Sequence, residues 1–150
     1  MSVADSTGTR LTTGFTLETW INPTNLTSYM QLISKFPWTT DYAYQMNTTN
    51  TGKLRIDVST NGTTYANLVS STPLTAGIWQ HVAATWDGSI IKLFINGVQD
   101  YATLPFTGPL FQASTTMDIG RVSGSNNQMF NGLLDEVRVS SVARTPSEIR

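Results

Sequence analysis

The chain has 150 residues, 39% of them hydrophobic and 13% charged, with a net charge of −1, one histidine and no cysteine. That length and apolar content suffice for one domain, residues 1–150, with a packed core. The charge balance excludes a basic surface that would attract nucleic acid or anionic lipid, and the lack of cysteine excludes a disulfide framework, a thiol nucleophile and a thiolate metal site.

Thr, Ser and Asn together make up about a third of the residues. Hydroxyls and amides rather than ions therefore keep the surface wet, and Thr with the aromatics favours strands. The opening "MSVADSTGTR" lacks the apolar stretch of a signal peptide. No apolar run approaches the length of a membrane span, so membrane insertion is not expected.

From there the apolar period is two. "FTLETWIN" (15–22) sets Phe15, Leu17, Thr19 and Ile21 against Thr16, Glu18 and Trp20. Short strands are expected at 32–36 and 42–48. "KLRIDVST" (53–60) follows with Leu54, Ile56 and Val58 inward and Lys53, Arg55 and Asp57 outward. Another strand fits 66–71. "WQHVAATWD" (79–87) puts Val82, Ala84 and Trp86 on one side, and "IIKLFI" puts Ile91, Leu93 and Ile95 together. Turn signals sit between these runs at 50–53, 60–64 and 87–89. Asn96-Gly97 is a two-residue hairpin signal, because both positions tolerate positive φ. Strands at 115–121 and 133–141 complete the set, with a loop at 122–128. In "TPSEI" (145–149), Thr at the N-cap, Pro at the first helical position and Glu at the third predict one short helix. Short strands with almost no helix between them must bury two apolar faces against each other. The expected fold is all-β: a two-sheet antiparallel β-sandwich with jelly-roll wiring and about 10–14 strands.

Three stretches, "GFTLETWINPTNL", "AGIWQHVAATWDGSIIKLFINGVQD" and "FNGLLDEVRVSSVARTPSEI", occur in the order and spacing of a known family. Together they resemble the laminin G-like jelly-roll domains of the concanavalin A-like lectin/glucanase superfamily, over about residues 3–150. The resemblance implies one concave and one convex sheet. It also implies a binding role, usually for carbohydrate or another surface molecule, as one module of a larger secreted or cell-surface protein. Several such domains hold calcium. An adhesive or structural protein-interaction role is the alternative, and a glycoside hydrolase or lyase is the third reading.

Catalytic machinery is not legible. His81, the sole histidine, shares a strand side with Trp79, Ala83 and Thr85 and reads as a packed or hydrogen-bonded residue; no G-x-S-x-G nucleophile turn accompanies it. Glycosidases need two carboxylates facing one cleft. The E-x-D-x-x-E strand of laminarinase-type relatives is missing, and the adjacent Asp135 and Glu136 would point to opposite faces. A non-enzymatic module is expected.

In the closing strand, Leu133, Val137 and Val139 share one parity as the buried set, and Asp135 falls on it. A core-side carboxylate needs a partner. Three readings remain open: a rim position, a structural hydrogen bond or salt bridge (to Arg121 or Arg138), and a structural calcium shared with Asp5 near the chain start.

Sugar recognition in such modules uses an aromatic face with amides and carboxylates beside it. The stretch "FPWTTDYAY" (36–44) clusters Trp38, Asp41, Tyr42 and Tyr44, and Tyr65 lies by another turn. These five are the candidate ligand residues, with Asn47 and Arg55 as further polar contacts. The expected partner is a carbohydrate or cell-surface glycan, with protein as the alternative.

Overall fold

The computed structural model describes residues 1–37, 39–122 and 128–149. Among them eleven strands form two antiparallel sheets: β1 (Ser2–Val3), β2 (Phe15–Pro23), β3 (Met30–Lys35), β4 (Tyr44–Thr48), β5 (Lys53–Val58), β6 (Ala66–Pro73), β7 (Gln80–Trp86), β8 (Ile90–Ile95), β9 (Val98–Pro105), β10 (Met117–Ile119) and β11 (Gly132–Ser140). One sheet runs β1-β10-β3-β4-β5-β6 and the other β11-β2-β7-β8-β9. The all-β sandwich expected from period-two patterning is therefore the fold. The pattern did not reveal β1, which is two residues long and pairs with β10 through Ser2↔Asp118 and Val3↔Met117.

The core lies between the sheets and takes the inward parity of each strand. Leu17 and Ile21 on β2, Ile56 and Val58 on β5, and Val82 and Ile91 on β7 and β8 are all fully buried. Aromatic edges link the layers: Phe15 meets Tyr44 and Trp86, with ring centroids 6.3 and 5.9 Å apart. The Trp86 indole N–H donates to the Phe106 carbonyl at 2.8 Å, which satisfies its one polar atom inside the core. The Asn96-Gly97 turn forms as expected, with φ of 52° and 77°.

Two expectations are corrected. The capping box at 145–149 makes a single turn rather than a helix. The Thr145 N–H and hydroxyl both donate to Glu148 Oε2, at 2.8 and 2.7 Å. The turn serves to bury Ile149 against Ala83 and Phe94 on the outer face of the five-stranded sheet. The regular helical element is instead a 3-10 turn at Thr7–Thr9.

The second correction concerns β11. Its register against β2 slips between Asp135 and Arg138, and Glu136 takes φ of 49°. This is a β-bulge: one extra residue resets the alternation. Leu134, Val137 and Val139 pack on the core. Leu133 and Asp135, one parity away before the bulge, are exposed. Asp135 thus faces solvent, and among the described residues its side chain accepts only the neighbouring Glu136 N–H, at 2.8 Å. The inward group at this point is the hydroxyl of Thr19, which donates to the Asp135 backbone carbonyl at 2.9 Å. The proposed arginine partners are engaged elsewhere, Arg138 with Glu18 and Arg121 with Asp118.

Candidate functional site

The hairpin of β4 and β5 builds the floor of a hollow on the outward face of the six-stranded sheet. Inward parity goes to Tyr44, Met46, Leu54, Ile56 and Val58, so Gln45, Asn47, Arg55 and Asp57 share the other face. The ladder sets Gln45 opposite Asp57 and Asn47 opposite Arg55. Directly opposed residues on one face lie close enough to bond, and these four do. Asp57 Oδ1 accepts from Arg55 Nε and Nη2 at 2.8 and 2.6 Å. Asp57 Oδ2 accepts from Gln45 Nε2 and Asn47 Nδ2 at 2.8 and 3.2 Å. The carboxylate is fully buried. Burial pushes it above the usual carboxylate range, and the bonds from Arg55, Gln45 and Asn47 pull against that shift.

Aromatic rings stand around this floor. Phe36 and Tyr42 stack face to face at 4.1 Å, and Tyr65 meets Phe36 edge-on at 5.3 Å. The Arg55 guanidinium lies 5.8 Å from the Tyr29 ring and 5.9 Å from the Tyr65 ring, within cation–π range of both. Tyr29 and Tyr65 are 36% and 48% exposed, so rings held by a buried ion pair still offer a face to solvent. With Gln128 at the rim, these side chains enclose about 230 Å³. This lies below the 300–1,000 Å³ of a typical small-molecule pocket.

Of the five ligand residues expected from sequence, this hollow gathers Tyr42 and Tyr65. Asn47 and Arg55 line it beside them. Tyr44 is not there: it is core, and its hydroxyl donates to the Thr9 carbonyl at 2.9 Å. Asp41 turns to the loop before β10 and accepts the Ser114 and Thr115 N–H groups at 2.9 and 3.0 Å. Trp38 lies outside the described residues. Sequence reasoning missed Tyr29, Phe36, Gln45 and Asp57 as lining groups. The parity of β5 already pointed Asp57 outward, but the register that joins it to Gln45 needs the structure.

Asp5 and Asp135 do not fit a shared calcium shell. Asp5 belongs to the six-stranded side, where it accepts Lys35 Nζ at 2.7 Å and is forked by Arg10. These cations, Arg10 first, hold its carboxyl well below the usual carboxylate range. Asp135 is an exposed residue of the other sheet. Among the described residues no group of three or more His, Cys, Asp or Glu is placed to hold a metal ion.

A second, larger hollow of about 440 Å³ lies on the outer face of the five-stranded sheet, lined by Trp20, Trp79, His81, Asn96, Gly97 and Ile149. Beneath it Glu18, only 1% exposed, meets His81 Nε2 at 3.4 Å and Arg138 Nη1 at 3.1 Å. Burial holds the His81 imidazole below the usual histidine range, against the pull of Glu18. Among the described residues the lining contributes no hydroxyl or thiol nucleophile for His81 to activate, and the smaller hollow contributes one carboxylate where glycoside hydrolysis needs two.

A family model described as Laminin_G_3, of the concanavalin A-like lectin/glucanases superfamily, matches residues 1–150. Mouse pappalysin-1 is 36% identical over 75 residues, which is 49% of this chain and 5% of that protein. The chain thus spans a small fraction of that curated relative. Among solved structures, domain 4 of AbnA, an extracellular GH43 arabinanase from Geobacillus stearothermophilus, in complex with arabinotriose, superposes with a TM-score of 0.73. Identity is 21%, covering 99% of this chain and 69% of that one. The CBM40 of the Ruminococcus gnavus IT-sialidase bound to α2,3-sialyllactose also gives a TM-score of 0.73, at 18% identity, over 92% of this chain and 81% of that one. At these identities the structural likeness shows the shared fold.

Proposed function

The chain belongs to the concanavalin A-like lectin/glucanases superfamily, and we propose that it is a non-catalytic carbohydrate-binding module of a larger secreted or cell-surface protein. The observation that carries this reading is the tyrosine-flanked hollow over the β4–β5 hairpin. Tyr29 and Tyr65 offer apolar ring faces for the C–H side of a sugar. Gln45, Asn47, Arg55 and Asp57 form a floor already locked by its own hydrogen bonds, so binding costs little side-chain ordering. The complexes of the two superposed structures with arabinotriose and sialyllactose agree with this reading. A glycan array probed with the wild type and with Tyr65→Ala tests it: saturable binding lost in the variant is expected, and silence across a broad array would overturn it.

A second reading, contact with another protein, is favoured by the opposite face. There Trp20 and Trp79 are 36% and 43% exposed on one side of the five-stranded sheet, an apolar surface of the kind that interfaces use. A Trp79→Ser variant that retained glycan binding but lost association with the host protein's other domains would support this role beside the first.

A further inference from the structure

We infer that the hollow over the β4–β5 hairpin selects an uncharged saccharide and rejects sugars that carry a carboxylate. This inference rests on the carbohydrate-binding reading above and adds the class of sugar. The superfamily fold does not decide the matter, since arabinotriose is neutral and sialyllactose is acidic. The local chemistry does.

An anion needs hydrogen-bond donors and unmatched positive charge. Four N–H donors of this floor are spent on Asp57. A carboxylate only accepts, so both amides must turn their nitrogens toward Asp57, and they do. Arg55 commits Nε and Nη2 to the same carboxylate. Gln31, opposite Asn47 in the ladder, gives its Nε2 to the side-chain oxygen Oε1 of Gln128 at 2.8 Å. The charge is spent as well: the one cation of the lining, Arg55, sits 2.6 Å from the one anion, Asp57.

An acceptor is left over. Asn47 Oδ1, on a residue that lines the hollow, is buried with no hydrogen-bond partner among the described residues. Turning Asn47 over to free a donor would set its oxygen against the Asp57 carboxylate. A sugar hydroxyl supplies the missing proton, whereas a uronic or sialic acid carboxylate would bring lone pairs to lone pairs. The hollow therefore fits a neutral ring whose hydroxyls donate downward and whose C–H face lies on Tyr29 or Tyr65.

The test is calorimetric titration of the whole chain with matched saccharides: lactose against 3′-sialyllactose, galactotriose against trigalacturonate, and arabinotriose alone. The expected result is binding of at least one neutral member. Its acidic counterpart should bind tenfold or more weakly, and neutral affinity should stay unchanged from low to high salt, since no net charge is matched. Asp57→Asn, which unmasks Arg55, is expected to narrow or reverse the preference. The wild-type comparison stands whether or not that variant folds. Tighter binding of an acidic member, weakened by salt and lost in Tyr65→Ala, would overturn the inference while leaving the carbohydrate reading intact. Binding of no saccharide at all, extended to a full array, would instead remove the carbohydrate reading on which the inference rests.

Discussion

The carboxylate of Asp100 accepts the backbone N–H of Ser71 at 2.8 Å, joining the last strand of one sheet to the last strand of the other. Its second oxygen takes the Thr72 N–H at 2.8 Å, and Ala102 on its own strand donates at 2.9 Å. One side chain thus satisfies three N–H groups along the open side of the sandwich, where β6 and β9 have no ladder between them.

Asp100 should therefore impose a pH dependence on stability. Burial alone would raise its carboxyl, but the Ser71, Ala102 and Thr72 N–H groups prevail and hold it at about 2. A depressed native value stabilises the fold above the unfolded value of about 3.9, and that contribution is lost as pH falls through about 2. The difference corresponds to roughly 2.6 kcal/mol. Urea unfolding of wild type and Asp100→Asn is expected to show a gap of about that size at pH 6 that closes toward pH 2. A gap independent of pH would contradict this role.

The bulge in β11 makes a prediction about Glu136. A non-glycine residue in the left-handed region costs about 1 kcal/mol or more. Glu136→Gly is expected to leave stability unchanged or raise it by up to about 1 kcal/mol, and Glu136→Val to lower it by more than that. Asp135→Ala, at an exposed position, should change it by less than about 0.5 kcal/mol. Chemical denaturation of the three variants decides the point. A large loss at Asp135 with none at Glu136→Val would restore the core-carboxylate reading.

The fold was legible because alternation alone assigns faces: Leu54, Ile56 and Val58 went in and Arg55 and Asp57 out, as read. The bulge was not legible, since nothing in "LLDEVRV" marks the extra residue, and a shift of one inverts every side chain before it. Tyr44 could have been placed from sequence. It shares parity with Met46, and that apolar neighbour two residues on was the available signal. The site was half legible for a different reason. Parity gives the face of each residue, but the Asn47–Arg55 and Gln45–Asp57 pairings depend on the β4–β5 register. Tyr29 lies in a loop whose position no periodicity fixes.

Lys35 is a buried cation whose ammonium is held by Asp5, by the Thr115 carbonyl at 2.6 Å and by the Thr9 hydroxyl at 3.5 Å. Removing one partner of a buried pair strands the other. Asp5→Asn is expected to lower the melting temperature more than Lys35→Met does, and the double variant to recover much of the loss. Thermal denaturation of the three proteins checks this. If Asp5→Asn melts like the wild type while added calcium raises the wild-type melting temperature, Asp5 serves a metal rather than Lys35.

The proposed saccharide site is the hollow over the β4–β5 hairpin. The most direct measurement is the change in backbone amide NMR shifts as a bound neutral oligosaccharide is titrated in. Perturbations should gather at Tyr29, Asn47, Arg55 and Tyr65 and vanish in Tyr65→Ala, whose affinity should drop at least tenfold, about 1.4 kcal/mol. Perturbations centred instead on Trp20, Trp79 and His81 would place the sugar on the opposite sheet and contradict the assignment.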